Sequence, residues 1–265
     1  MPHADRVRAV AANYRFTMDL LRRCYAGERS PHRQFGRVET IPLSHDVSFY
    51  NAVLALDPAA AVEDVVKAVE WTASLGVDPS VHLIDGTDPA IPGALESRGL
   101  LAGDPSPAMV LQPIPRTLDA PLPRGASVRS GGLELAEAWY AALEGSERFQ
   151  GTFNAALIGN PSVRIAVAEL DGAPAAGAMT IGSDRGVAGV YAVATVERAR
   201  RLGLGRAATW AAIRAAAEAW GSTIAVLEAT EMGVPLYAGM GFSQVGAITV
   251  FSRPVDAPAS PAATR

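Results

Sequence analysis

The stretch Val190–Ala207, VYAVATVERARRLGLGRA, narrows the possible folds of this 265-residue chain more than any other. Val190 to Thr195 alternates as a strand does and is rich in small residues, and a basic turn with two glycines follows. That turn runs directly into AATWAAIRAAAEAW, whose apolar residues recur with a helical period. Strand, glycine turn and helix in this order make an anion cradle. Glycine lets backbone approach a ligand closely, and the first amides of a helix have no partner within it and point outward at the positive end of its dipole. Two glycines this close cost helix stability unless the backbone needs them, so a plain basic helix start accounts poorly for the turn.

Two families own turns of this kind. Gly203, Gly205 and Ala208 fit the dinucleotide fingerprint G-x-G-x-x-G/A, and Glu228 ends the strand-like run TIAVLE about where a ribose-binding acid belongs. That fingerprint sets its first glycine at the strand end, whereas Val196 to Leu202 separate Thr195 from Gly203 here. Too little chain follows Glu228 to complete a doubly wound sheet. Read instead as R-x-x-G-x-G, with Arg200, Gly203 and Gly205 in the specified places, the turn resembles the acyl-CoA pyrophosphate loop of the GCN5-related N-acetyltransferase (GNAT) superfamily. LYAGMGF, Leu236 to Phe242, resembles the tyrosine-bearing helix and Gly-Phe turn that close that family's core. The resemblance covers Arg124 to Pro254.

That resemblance implies an α/β fold with a mixed sheet, acetyl-CoA as cosubstrate, no metal, and direct transfer of an acetyl group to a primary amine in a ternary complex. It assigns the pantetheine arm to backbone groups of Val193, Ala194 and Thr195. The pyrophosphate falls to the amides of Leu202, Gly203, Leu204, Gly205, Arg206 and Ala207, with charge from Arg200, Arg201 and Arg206. Tyr237 matches the family's general acid for the leaving thiolate. The core strand carries no carboxylate, so Glu228 or Glu231 is the candidate base, direct or through water. The acceptor side is expected around Tyr140, Phe149 and Asn154, for a small-molecule or protein amine. A non-catalytic acyl-CoA sensor or pseudoenzyme stays open as an alternative, as does, with less behind it, an NAD-binding Rossmann protein.

Composition fits such an enzyme and excludes other classes. Hydrophobic content of 49% against 19% charged residues supplies a core, and a net charge of -4 gives no general attraction to nucleic acid. Cys24 is the only cysteine, which excludes an intramolecular disulfide, and the four histidines are scattered. The first residues lack a signal peptide's apolar core and no apolar run is long enough for a bilayer, so a cytoplasmic monomer or homodimer is expected.

The first half reads as αββαβαβ. Asp5 to Cys24 is an amphipathic helix with Val7, Val10, Ala11, Tyr14, Met18 and Leu21 on one face. A helix is expected from Pro58 to Gly76, and a strand at Ser80 to Asp85. SVHLIDGTDPAIPGALESRGL and TIAVLEATEMGVPLYAGMGF share strand, turn, short helix and terminal glycine, which sets Leu95 where Tyr237 stands. The first half has no R-x-x-G-x-G. We therefore expect a degenerate GNAT-like domain over residues 1–112, a proline-rich linker over 113–125, the GNAT domain over 126–254, and a mobile tail from 255 to 265. Chance similarity of short α/β segments is the alternative for the first half.

Overall fold

The computed structural model describes residues 1–27, 31–44, 47–117, 121–143, 151–182 and 186–254. Phe149, the start of the helix expected near Glu147, and the tail from Val255 lie outside them. In chain order the elements are α1 (His3–Ala26), β1 (Arg33–Phe35), β2 (Val38–Pro42), β3 (Asn51–Ala55), α2 (Val62–Ser74), β4 (Ser80–Ile84), α3 (Ala90–Glu96), β5 (Leu101–Ala102) and β6 (Ser106–Leu111). Then follow β7 (Ala126–Gly131), α4 (Ala136–Ala142), α5 (Ala155–Ile158), β8 (Val163–Leu170), β9 (Ala173–Gly182), β10 (Val187–Thr195), α6 (Leu204–Trp220), β11 (Ile224–Glu228), α7 (Val234–Ala238) and β12 (Ser243–Ser252).

The chain divides into two compact units, and the division differs from the expected one. Unit one comprises Met1–Ser30 and Ser106–Ile248; unit two comprises Pro31–Pro105 and the chain from Thr249 onward. The proline-rich stretch is therefore no boundary. Ile114 donates its amide to Thr223 O at 2.9 Å, and Gly125 O accepts from the Asp171 amide, so both ends are tied into unit one. The reason lies in β6, which pairs antiparallel with β11 on one side and with β12 on the other and so is an interior strand of that unit's sheet.

In unit one the strand order is β12-β6-β11-β10-β9-β8-β7, a mixed sheet in which β10 and β11 are the parallel neighbours. The β8–β9 hairpin turns at Asp171 and Gly172, both at positive φ (52° and 79°), the geometry that Asp-Gly favours. One sheet face is paved with alanine. Ala166, Ala168, Ala175, Ala176 and Ala178 meet Ala208 and Ala212 of α6, and these small side chains let helix and sheet approach closely. The other face carries α1 and α4. Trp139 of α4 donates its indole N–H to Ala178 O at 3.2 Å, and Asn13 of α1 donates to Ile181 O at 3.1 Å.

In unit two, β1, β2 and β3 pair antiparallel, and α2 crosses over to a parallel β4. Its core joins Val38, Val53, Val65, Val69, Val81, Ile91, Leu95 and Phe251. The helix starts at Val62 rather than Pro58, because Asp57 first closes a turn by accepting from the Ala59 amide at 2.9 Å. β12 ends in this unit, where Phe251 and Ser252 pair with β5. Among the described residues, no helix is long and apolar enough to cross a membrane.

Candidate active site

The glycine turn folds as its residue types demand. After β10, the chain passes Arg201 at φ 63° and reaches Gly203 at φ 82°, the left-handed N-cap from which α6 starts. Gly205 lies in the first turn of α6, where an added Cβ would come within 2.7 Å of Thr195 Oγ1. The helix start thus rests directly against the end of β10. A cleft of about 490 Å³ opens here, lined by Pro121, Thr195, the run Ala199–Arg206 and Leu236. Arg200 donates to Thr195 O at 3.4 Å, which folds it back along the turn. Among the described residues no carboxylate lines this cleft, and the charge they bring to it is that of Arg200, Arg201 and Arg206 together with the first amides of α6.

Next to this cleft the sheet comes apart. The parallel pairing of β10 with β11 covers Val187, Ala188 and Gly189 opposite Ile224, Ala225 and Val226, and then ends. β10 nevertheless continues along β9 as far as Thr195 opposite Ala176. Val190 to Thr195 therefore present one backbone edge that β11 does not use. Within that edge the register shifts between Tyr191 and Ala194, with Ala192 at φ 48°. A left-handed alanine is strained, and this bulge turns the amides around Val193 out of the ladder.

Two ionisable side chains flank the opening on opposite faces of the sheet. Tyr237 of α7 packs with Val190, Leu227, Trp210 and Phe242, on the face covered by α6. Its hydroxyl makes no hydrogen bond among the described residues, and burial pushes the phenol up to about 12. Glu228, the last residue of β11, alternates to the α1 face and is half-buried. Burial pushes its carboxyl up to about 8, opposed in part by a hydrogen bond from its own amide. Glu231 is exposed in the turn before α7. Of the two candidate bases, the fold sets Glu228 at the end of the separating strand.

Around the expected acceptor region the side chains have structural partners. The Tyr140 hydroxyl donates to Phe153 O, and Asn154 caps α5 by accepting from the Leu157 amide while donating to Cys24 O at 3.1 Å. A group missed in the sequence is Asn13, Thr17 and Tyr191. Thr17 donates to the Tyr191 hydroxyl at 3.0 Å, which donates in turn to Asn13 Oδ1 at 2.8 Å. The available signal was two polar residues four apart in line with the apolar stripe of α1.

Residues 133–242 match the family model described as Acetyltransferase (GNAT) family. This segment is a GNAT domain. Comparison with curated proteins returned no sequence match. Among solved structures, a GCN5-related N-acetyltransferase from Kribbella flavida is similar over 93% of this chain and 96% of its own, with a TM-score of 0.73 and 22% identity. A tandem GNAT protein from the clavulanic acid biosynthesis pathway is similar over 73% of this chain and 70% of its own, with a TM-score of 0.55 and 15% identity. A GCN5-related N-acetyltransferase from Sphaerobacter thermophilus reaches a TM-score of 0.56 at 15% identity, over 83% of this chain and 79% of its own. These likenesses are of fold, and they extend well outside the matched GNAT domain into the first half, as a GNAT-like first half requires. The dinucleotide alternative falls away, because β10 is followed by a long turn and is flanked by antiparallel β9 rather than by a doubly wound parallel sheet.

Proposed function

We propose that the protein is an acyl-CoA-dependent N-acyltransferase that moves an acetyl group from acetyl-CoA to a primary amine. The observation that carries this reading is the loss of pairing beyond Gly189 and Val226, next to the Gly203-capped start of α6. An extended arm can hydrogen-bond to the free edge of Val193, Ala194 and Thr195. The amides of Leu202 to Ala207, with Arg200, Arg201 and Arg206, suit a pyrophosphate. The Gly205 contact with Thr195 supports the fit, since a larger residue there would occupy the cradle. Acetyl-CoA supplies an activated thioester carbon.

Each proton then has a place to go. The amine nitrogen attacks the thioester carbon, forming the N–C bond; a backbone amide at the bulge near Val193 stabilises the oxyanion. The C–S bond breaks, and Tyr237 protonates the leaving thiolate. A phenol held up to about 12 by burial stays protonated at neutral pH and so remains able to donate. Glu228 accepts the proton that the amine loses, and a carboxyl raised to about 8 is well matched to that task. Acid and base stand on opposite faces of the sheet, joined by the opening between β10 and β11, so donor and acceptor approach from different sides.

Thermal unfolding with and without acetyl-CoA tests the binding, since a ligand of the folded state raises apparent stability. Stabilisation is expected from acetyl-CoA and none from NAD. A panel of primary amines assayed by released CoA tests the transfer; binding without release by any acceptor would favour the sensor reading.

A further inference from the structure

The group of Asn13, Thr17 and Tyr191 joins the N-terminal helix to the strand opening. Gly189 lies opposite Val226, and both strands run parallel, so two residues on Tyr191 and Glu228 occupy corresponding positions on the same face. Tyr191 is still in regular register there, opposite Met179 of β9, because the bulge begins after it. The electrostatic influence of Glu228 on the phenol agrees with that proximity: burial first and the carboxylate's charge second keep Tyr191 protonated well above its ordinary range.

The seating of this phenol is specific. Asn13 Nδ2 donates to Ile181 O, which fixes Oδ1 as the end that meets Tyr191 and accepts its proton. Thr17 supplies the second bond by donating to the hydroxyl. Both α1 side chains are buried, at 0% and 4% exposure. Gly189 makes room for Asn13 and Tyr191, since a Cβ there would stand 1.9 Å from Asn13 Oδ1 and 2.5 Å from the Tyr191 ring. The phenol proton is thus committed to Asn13.

We propose that Tyr191 is a positioning residue for Glu228, and that Asn13 of α1 holds its hydroxyl proton away from the carboxylate. The aromatic ring shields one side of Glu228 from water, while the committed proton leaves the carboxylate oxygens for the incoming amine. A phenol released from Asn13 would turn its proton toward Glu228, stabilise the charged form and weaken the base. The inference rests on the acyl-transfer reading with Glu228 as base. It brings into the site a helix outside the matched GNAT domain. Of the groups facing Glu228, β10 contributes Tyr191 and β6 the uncharged Ala108 opposite it. α1 supplies Asn13 and Thr17 to the Tyr191 hydroxyl, and nearer its start Arg6 donates to Ser243 Oγ at 3.3 Å.

The test follows the Glu228 carboxyl by carbon-13 NMR titration and, in parallel, the acid limb of kcat/KM against pH. Asn13→Leu should lower both midpoints by about one pH unit while leaving KM for acetyl-CoA unchanged. Adding Tyr191→Phe to that variant removes the stray proton and should return both midpoints toward the wild type. Should Asn13→Leu fail to fold, Asn13→Ala also withdraws the acceptor and carries the same expectation. A Glu228 titration unmoved by either Asn13 variant overturns the proposal, as does a uniform loss of rate at every pH. Failure of the underlying reading shows differently: Glu228→Gln would then keep full turnover, while the NMR titration still reports whether Asn13 controls the carboxyl.

Discussion

Gly203 and Gly205 are glycines for different reasons, and their substitution should fail in different ways. Gly203 sits at φ 82° with nothing within 4 Å of a built Cβ, so its demand is conformational. Gly203→Ala should cost about 1–2 kcal/mol of stability, measured by urea unfolding, through the left-handed penalty alone. Gly205 meets Thr195, so Gly205→Val should distort the cradle and weaken acetyl-CoA binding at least tenfold by calorimetry; unchanged affinity would remove the turn's assigned role. Tyr237→Phe should lower kcat by roughly 10²–10⁴ with KM for acetyl-CoA unchanged, if the phenol is the acid. These residues were legible because each advertises a local need: glycine for backbone, a phenol in a short helix before Gly-Phe. Tyr191 was not, because its meaning depends on Thr17, 174 residues away. No local pattern carries that pairing.

At the level of elements, the two parallel strand pairs make opposite statements. β10 and β11 part after Gly189, whereas β3 and β4 pair from Ala52 opposite Ser80 to Ala55 opposite Leu83. The second pair leaves no comparable free edge, and Leu95 of α3 is fully buried in that unit's core where its counterpart Tyr237 borders an opening. Calorimetric titration should therefore give one acetyl-CoA per chain; two equivalent sites would require a second opening. The strands, the Asp-Gly hairpin and the Leu95–Tyr237 correspondence could be read from periodicity and turn chemistry. The parting of two strands could not, because Val190 to Thr195 alternates in the same way whether or not a neighbour pairs with it.

Across the whole molecule, two buried groups set opposite pH limits. His82 is fully buried, bonded at Nε2 to Ser80 and Phe49 O, and burial lowers it to about 4 from an ordinary 6.5. Its folded pKa is depressed, so the unfolded chain takes up the proton first. The resulting stability is present above pH 6.5 and is lost as pH falls toward about 4, by about 3 kcal/mol. Glu228 has the reverse sign: raised from 4.5 to about 8, it favours folding below pH 4.5 and that contribution disappears as pH rises through about 8. Between pH 4.5 and 6.5 the two slopes oppose and largely cancel, so urea midpoints should fall most clearly as pH rises from 6.5 toward about 8, and Glu228→Gln should flatten that fall. The division into units was the least legible property, since linker composition at residues 113–125 says nothing of where β6 and α1 find partners. That arrangement bears on synthesis. α1 leaves the ribosome 174 residues ahead of the tyrosine that seats it, a wait of roughly 10–30 s at ordinary elongation rates. Its apolar stripe lacks that partner for the whole interval, so the nascent chain should bind a chaperone more readily than the finished one, which a ribosome-bound pull-down against the released protein would read.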